Sequence, residues 1–322
     1  MEVMGLKPMK KILVTGGTGY IGSELAKHLD SQGYSVAITS RNKEFYRDPQ
    51  YEIREMDLLV DNSIYHLCED IDCVVHTATF DERKIHSYPK ETLLANGYGT
   101  KLLLESAKRF GVKRFIYLST FHVYGQQEGY ITEDTKANPI SDYALTHFVG
   151  EMYVNQYSIG TSLDAISLRL TNGIGAPNNV DRWYLVVNDF CRSAYKSGEI
   201  KLKSTGIQQR DFISIIDVVK AIEHCIRTNK RLASLTQVFN VSSQESLQIR
   251  ELASIVKNIY EKRYQKKFSL DMPEVYITEE QQKKLYVDSN KLRRLGWETT
   301  RTIQDEIHAI FDLLERSQDN KC

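Results

Sequence analysis

The chain lacks several features that would have sent it elsewhere. It has no net charge, because lysine plus arginine equals aspartate plus glutamate at 42 each, and it has no sustained basic stretch. That argues against nucleic acid or an anionic membrane surface as the main partner. No apolar run approaches the ~20 residues that span a bilayer. The first nine residues carry no apolar core of an export signal, and Met9 offers an alternative start. The five cysteines (Cys68, Cys73, Cys191, Cys225, Cys322) lack metal-ligand spacing and read as reduced, mostly buried thiols. Repeats and low-complexity linkers are missing too. The expectation is a soluble cytoplasmic protein whose 322 residues suffice for one large α/β domain or two closely attached lobes.

What is present begins with Ile12-Leu13-Val14-Thr15-Gly16-Gly17-Thr18-Gly19-Tyr20-Ile21-Gly22, a short apolar run, a glycine cluster and then a helical pattern through Leu25, Ala26 and Leu29. The glycines stand as Gly16-x-x-Gly19-x-x-Gly22, a relative of the dinucleotide-binding fingerprint with its first spacing stretched by one. In such a turn Gly16 permits a sharp exit from the strand. Gly19 lets backbone approach a pyrophosphate, and Gly22 lets the helix lie close to the sheet. The helix start, at Tyr20 and Ile21, then offers free N–H groups to phosphate.

Strands and helices alternate after that. Strands are predicted over 34–39, over 72–78 with small residues Thr77 and Ala78 at its end, over 114–119 and over 163–169; helices are predicted over 91–110 and 143–157. This alternation implies a parallel sheet with right-handed crossovers and ligands at the carboxyl ends of the strands. Beyond Asn172 a loop leads to a helix near 184–197. The stretch 211–219 reads as a short edge strand and a helix, and the chain from Ser246 on reads as mainly helical. The expectation is a Rossmann-like doubly wound α/β sheet with a smaller, mixed C-terminal substrate lobe. Residues 9–172, with a return segment near 207–241, would bind the dinucleotide; residues 173–206 and 242–322 would form the substrate lobe.

Further stretches fall at matching places: Asp57-Leu58, Asn96-Gly97-Tyr98-Gly99-Thr100, Ser119-Thr120-Phe121-His122-Val123-Tyr124-Gly125, Leu168-Arg169-x-x-Asn172, Arg210-Asp211-Phe212-Ile213, Phe239-Asn240-Val241 and Asp288 to Trp297. Their order resembles the extended short-chain dehydrogenase/reductase family, in particular its nucleotide-sugar epimerase/dehydratase branch, over nearly the whole chain. The resemblance implies hydride transfer between a nicotinamide and a sugar carbon, with a tyrosine as acid/base. It also places the adenine at Asp57 and Leu58 and implies a homodimer through the helices near Leu93–Phe110 and Tyr143–Tyr157.

The catalytic set it implies is Thr120, Tyr143 and a lysine four residues after the tyrosine, one helical turn along the same face. That lysine is absent, since the segment reads Asp142-Tyr143-Ala144-Leu145-Thr146-His147 and no lysine occurs between Lys136 and Lys196. A phenol of pKa about 10 needs help to act as a base. A histidine of reference pKa about 6.5 is mostly neutral at pH 7, and burial lowers it further. His147 keeps a donor and an acceptor for a ribose hydroxyl but loses the permanent charge. Two readings stay open: a modified Tyr143–His147 pair, suited to proton donation in carbonyl reduction, or a site that binds without turnover. Phe121 and His122 stand where the dehydratases of this family carry acidic residues. That disfavours a dehydratase and leaves His122 either as a substrate contact or as a packed histidine.

At the end of the second predicted strand stand Thr39-Ser40-Arg41-Asn42-Lys43, with no acid before Glu44. A carboxylate there would select NAD. Ser40, Arg41 and Asn42 suit a 2′-phosphate instead, so NADP(H) is expected rather than NAD. On the substrate side the resemblance assigns Arg210 to the diphosphate of a nucleoside-diphosphate sugar, with Asn172 beside it; a structural ion pair is the plainer role for Arg210. Lys283 and Lys284 are the nearest cations to a second diphosphate contact. Trp183 and Tyr184 read equally as base-stacking or core residues. The leading function is an NADP(H)-dependent sugar-nucleotide reductase or epimerase. The alternatives are a non-catalytic NADP(H)-binding sensor or scaffold and, less favoured, a reductase of a small carbonyl compound.

Overall fold

This computed structural model describes residues 9–41, 50–234, 236–275 and 284–319; Asn42, Lys43, Glu44, Lys283 and Cys322 lie outside the described residues. Strand and helix alternate through β1 (Lys11–Thr15), α1 (Tyr20–Ser31), β2 (Ser35–Ser40), β3 (Glu52–Glu55), β4 (Cys73–His76), α2 (Pro89–Leu93), α3 (Thr100–Arg109), β5 (Arg114–Thr120), β6 (Gly129–Ile131), α4 (Asp142–Ser158) and β7 (Asp164–Leu170). Then come β8 (Asn172–Ile174), α5 (Val186–Ser197), β9 (Glu199–Lys201), β10 (Gln209–Ser214), α6 (Ile215–Arg227) and β11 (Val238–Val241). The last part holds β12 (Ser246–Gln248), α7 (Ile249–Tyr264), β13 (Ser269–Asp271), β14 (Leu285–Val287), α8 (Asn290–Arg293) and α9 (Ile303–Asp319).

Seven parallel strands form the main sheet in the order β11-β7-β5-β4-β1-β2-β3. Runs such as Ile12-Leu13-Val14 and Phe115-Ile116-Tyr117 are buried on both faces, as a helix-covered parallel sheet requires. Leu25, Leu29, Val218 and Ile222 of α1 and α6 cover one face. Leu102, Leu103, Ala107 and Val154 of α3 and α4 cover the other. A separate apolar core, with Phe190, Cys191, Leu252, Val256, Ile310 and Phe311, joins α5, α7 and α9. Arg114 ties the sheet to α6. It pairs with Asp164 at 2.6 Å and donates to the carbonyls of Thr228 at 2.9 Å and Lys230 at 2.6 Å, so its buried charge and its N–H groups are answered.

Three expectations change. The helix expected over 91–110 is interrupted by a π-turn at Leu94–Gly99 between α2 and α3. Glycines let neighbours press in there: a Cβ on Gly99 would lie 2.9 Å from the Leu58 carbonyl oxygen, and one on Gly97 3.0 Å from Val149. The piece expected as an edge, β10, sits between β8 and β12 in a three-stranded sheet, because β12 adds antiparallel to its open side. The tail holds β12, β13 and β14 among its helices; at three residues each they are too short to show alternation. Among the described residues no helix is long and apolar enough to cross a membrane, and Cys68, Cys73, Cys191 and Cys225 are buried and unpaired.

Candidate active site

The strand order reverses between β1 and β4, which opens a crevice at their carboxyl ends. The glycine turn lies there. Gly16 adopts φ +67°, donates its N–H to Thr39 Oγ1 at 3.0 Å and accepts from Gly19 N at 2.8 Å. A Cβ on Gly22 would lie 2.2 Å from the Gly16 carbonyl oxygen, so α1 starts in backbone contact with the turn. Gly17, passed over in the sequence, is equally confined, its Cβ position being 2.5 Å from Ile38. Gly19 differs, for only the Gly16 carbonyl oxygen, at 3.1 Å, is near its Cβ position. Thr77 Oγ1 donates to the Thr15 carbonyl oxygen at 2.7 Å and Ala78 N to Thr15 Oγ1 at 3.3 Å, which binds the end of β4 to the turn.

The other cofactor candidates surround this turn. Tyr20 is buried and its hydroxyl donates to the Gly175 carbonyl oxygen at 2.5 Å, so its side chain links α1 to the loop before α5 while its N–H stays at the helix start. Ile21 packs on the core behind the turn. Ser40 ends β2, and Arg41 just after it is exposed. Asp57 accepts from Leu59 N at 2.9 Å, and Leu58 lies against the π-turn at Gly99.

The π-turn carries Asn96, whose Oδ1 accepts from Thr79 Oγ1 at 3.0 Å and Phe80 N at 2.8 Å. Its Nδ2 donates to Thr146 Oγ1 at 3.1 Å, so one buried amide fixes the chain after β4 against α4. Ser141 caps α4 by accepting from Ala144 N at 3.2 Å. The first turns of the helix therefore stand firm, with Tyr143 and His147 one turn apart and their rings 4.6 Å between centroids. The side chain of Thr120, buried at the end of β5, lies near enough to act on the Tyr143 phenol. Burial, then Glu82, holds the Tyr143 phenol above its ordinary range; Thr120 and Arg182 pull it back down in part. His147 is 5% exposed, and burial, aided by His122, brings its pKa down to about 4. It is neutral at pH 7.

His122 lies tilted against Phe121 at 4.4 Å between centroids and stands edge-on to Tyr143 at 6.1 Å. Burial, then the charge of Arg210, lowers its pKa to about 4. That charge effect means that Arg210 lies near His122. Arg210 is half-buried and donates to Gln127 Oε1 at 3.0 Å and to the Gln209 carbonyl oxygen at 2.9 Å; no described carboxylate pairs with it. Among the described residues, the ion pair weighed as its plainer role is not formed. Asn172 donates to the Asp211 carbonyl oxygen at 2.8 Å and keeps its own oxygen. Lys284 is exposed, and Trp183 packs against the core of the smaller lobe.

Thr120, His122, Tyr143 and His147 thus come together. Sequence reasoning missed what braces them. Glu82 accepts from Tyr184 Oη at 2.5 Å and from Arg182 at 3.1 Å, and Arg83 pairs with Asp181 at 3.0 Å, so two loops far apart in sequence meet beside Tyr143. Tyr117, also missed, lies beneath His147. A tyrosine inside a buried strand gives no sign of its partner.

Compared with known proteins, residues 12–242 match the model described as the NAD dependent epimerase/dehydratase family. A Methanocaldococcus jannaschii protein, provisionally named a UDP-glucose 4-epimerase, is 27% identical over 95% of this chain and 99% of its own length. UDP-glucuronic acid 4-epimerase from Bacillus cereus, solved with UDP-glucuronic acid and NAD, superposes with a TM-score of 0.79 at 23% identity, covering 95% of this chain and 99% of the other. RMD from Pseudomonas aeruginosa, solved with NADPH, gives 0.76 at 23% identity over 96% and 99%.

Proposed function

The chain belongs to the NAD dependent epimerase/dehydratase family, and on that premise we propose that it is an NADP(H)-dependent oxidoreductase or epimerase of a nucleoside-diphosphate sugar. The observation that carries the reading is that Thr120, His122, Tyr143 and His147 come together with a half-buried Arg210 near His122 that has no carboxylate partner among the described residues. A cation with no carboxylate partner in a cleft is suited to a diphosphate.

The residues fit a dinucleotide. A turn that a Cβ at Gly22 would fill, the open side of Gly19 and the buried, unpartnered His147 Nε2 all support one. When bound, the nicotinamide supplies or takes the hydride. Thr120 and Tyr143 then hold the sugar oxygen, and Tyr143 gives it a proton, the direction that a raised phenol pKa and a neutral His147 favour. We infer that the main sheet binds the dinucleotide and the smaller lobe the sugar nucleotide. Exposed Arg41, with no acid at the end of β2, supports NADP(H). Exposed Leu93, Leu94, Tyr98, Leu145 and Met152 around α2 and α4 support a homodimer through that face.

The test is a screen of nucleoside-diphosphate sugars and their 4-keto derivatives with NADPH and NADH. Turnover with NADPH is expected, with a preference over NADH that falls about tenfold in Arg41→Ala. Tighter binding of NADH, or an unchanged preference in the variant, refutes the cofactor assignment. A second reading, a non-catalytic NADP(H) sensor, is favoured by the absence of any permanent cation at position 147. His147→Lys separates the two. Lower turnover marks histidine as part of a working pair; a large gain marks a decayed site.

A further inference from the structure

The two ring nitrogens of His147 have unlike surroundings. Nδ1 lies 3.1 Å from the hydroxyl of Tyr117, a β5 residue only 2% exposed. Nε2 is buried and has no partner among the described residues. A neutral imidazole carries its hydrogen on one nitrogen, and the bond made by the other decides which.

The Tyr117 hydroxyl has two acceptors in reach, Nδ1 at 3.1 Å and the His147 carbonyl oxygen at 3.5 Å. With the hydrogen on Nδ1, the phenol would be left the longer contact as its only acceptor, in the interior. With the phenol donating to Nδ1, one good bond satisfies the phenol and Nδ1, and the hydrogen sits on Nε2, left free for a ligand. Burial keeps this phenol well above its ordinary range, so the donor retains its proton. Room for the hydroxyl is built into α4, where a Cβ on Gly150 would lie 2.5 Å from the Tyr117 oxygen. His76, 5.6 Å from the Tyr117 ring between centroids, is a contrast. Both its nitrogens are engaged, with Thr15 at 2.6 Å and Thr100 at 3.1 Å. Of the two imidazoles near Tyr117, only His147 keeps a nitrogen without a partner among the described residues.

We propose that Tyr117 is a positioning residue of the site: by donating to Nδ1 it fixes His147 as the Nε2–H form, and so presents one N–H donor to the ribose of the dinucleotide. The role toward ribose rests on the proposed function above; the tautomer does not.

Nitrogen-15 NMR of the full, ligand-free chain reads the tautomer directly. The Nε2–H form is expected, and the Nδ1–H form overturns the proposal. Tyr117→Phe keeps the ring and is expected to weaken NADPH binding about 3- to 10-fold, the worth of one hydrogen bond. In a His147→Ala background the same change should alter affinity less than about twofold. An equal loss in both backgrounds marks a tyrosine that serves folding alone, which also overturns it. Should Tyr117→Phe not fold, the wild-type spectrum still decides. A chain that turns over no sugar nucleotide leaves the tautomer result standing, so failure of the function and failure of this inference are told apart.

Discussion

The glycine turn after β1 and the first turns of α4 are proposed to serve one site, yet different physics holds each. In the turn, backbone meets backbone: beside Gly22 and Gly17 nothing larger than hydrogen fits. On α4, residue 147 sits in a regular helix whose backbone admits any side chain but proline without strain, so the helix itself does not dictate the choice. A steric rule cannot be broken without breaking the fold. A chemical rule can be broken while the fold persists, and here the chain with His147 at this place keeps the Rossmann-like architecture, at a TM-score of 0.79 to an epimerase. The lesson is that motif spacing reports architecture more securely than it reports activity.

The sharpest test of the chemical side is Tyr143→Phe. It is expected to lower kcat by about 10²–10⁴-fold, the usual worth of a positioned proton donor, while the unfolding midpoint stays nearly constant. Initial rates and a urea titration measure both. An unchanged rate would mean that α4 only binds, and the comparison would then be between two binding elements.

What the sequence disclosed follows the same division. The glycine turn, the strand ends at Thr77–Ala78 and Thr120, and the Tyr143–His147 spacing were legible because each depends on local backbone geometry or a fixed helical period. The π-turn was not, since Leu93, Leu94, Leu102 and Leu103 keep an apolar face on either side of it. Neither was the meeting of Glu82 with Arg182 and Tyr184, a hundred residues apart, which no periodicity encodes. The bond from Tyr117 to His147 belongs to the same class: it joins a strand and a helix through two polar atoms inside an otherwise apolar layer.

On the steric side, Gly22→Ala places a methyl 2.2 Å from the Gly16 oxygen and 2.8 Å from its carbonyl carbon. Overpacking against backbone costs about 3 kcal/mol, so a lower urea midpoint and lost NADPH binding are expected together. A cost under about 0.5 kcal/mol would show that the turn has slack and would weaken the contrast with α4.

Acid should act through the histidines. Burial lowers His76 to about 3 and His122 and His147 to about 4, from 6.5 in an exposed chain. The unfolded chain therefore binds more protons between those values, so stability is full near pH 7, declines below about 6.5 and stops declining from this source below about 3–4. Urea midpoints at descending pH measure the slope. His147→Asn should flatten it by an amount on the order of 1–3 kcal/mol across the window. An unaltered slope would mean that His147 takes up its proton at the same pH in the fold as in the unfolded chain, contrary to the lowering by burial.

The smallest effect on stability is expected at Gly19, and it separates the two kinds of constraint within a single turn. Gly19 caps α1 at φ −86°, a conformation open to any residue, and the sole close neighbour of its Cβ position is the Gly16 oxygen at 3.1 Å. Alanine is a poorer cap than glycine but has less unfolded-state entropy to lose, and the terms nearly cancel. Gly19→Ala should thus shift stability by less than about 0.5 kcal/mol. Its methyl would nonetheless stand where a pyrophosphate approaches the backbone, so NADPH affinity should fall about tenfold or more. Calorimetric titration beside a urea curve reads both quantities on one preparation. Affinity preserved at full stability would put the pyrophosphate elsewhere along the turn, and a large stability loss would make Gly19 one more steric position like Gly22.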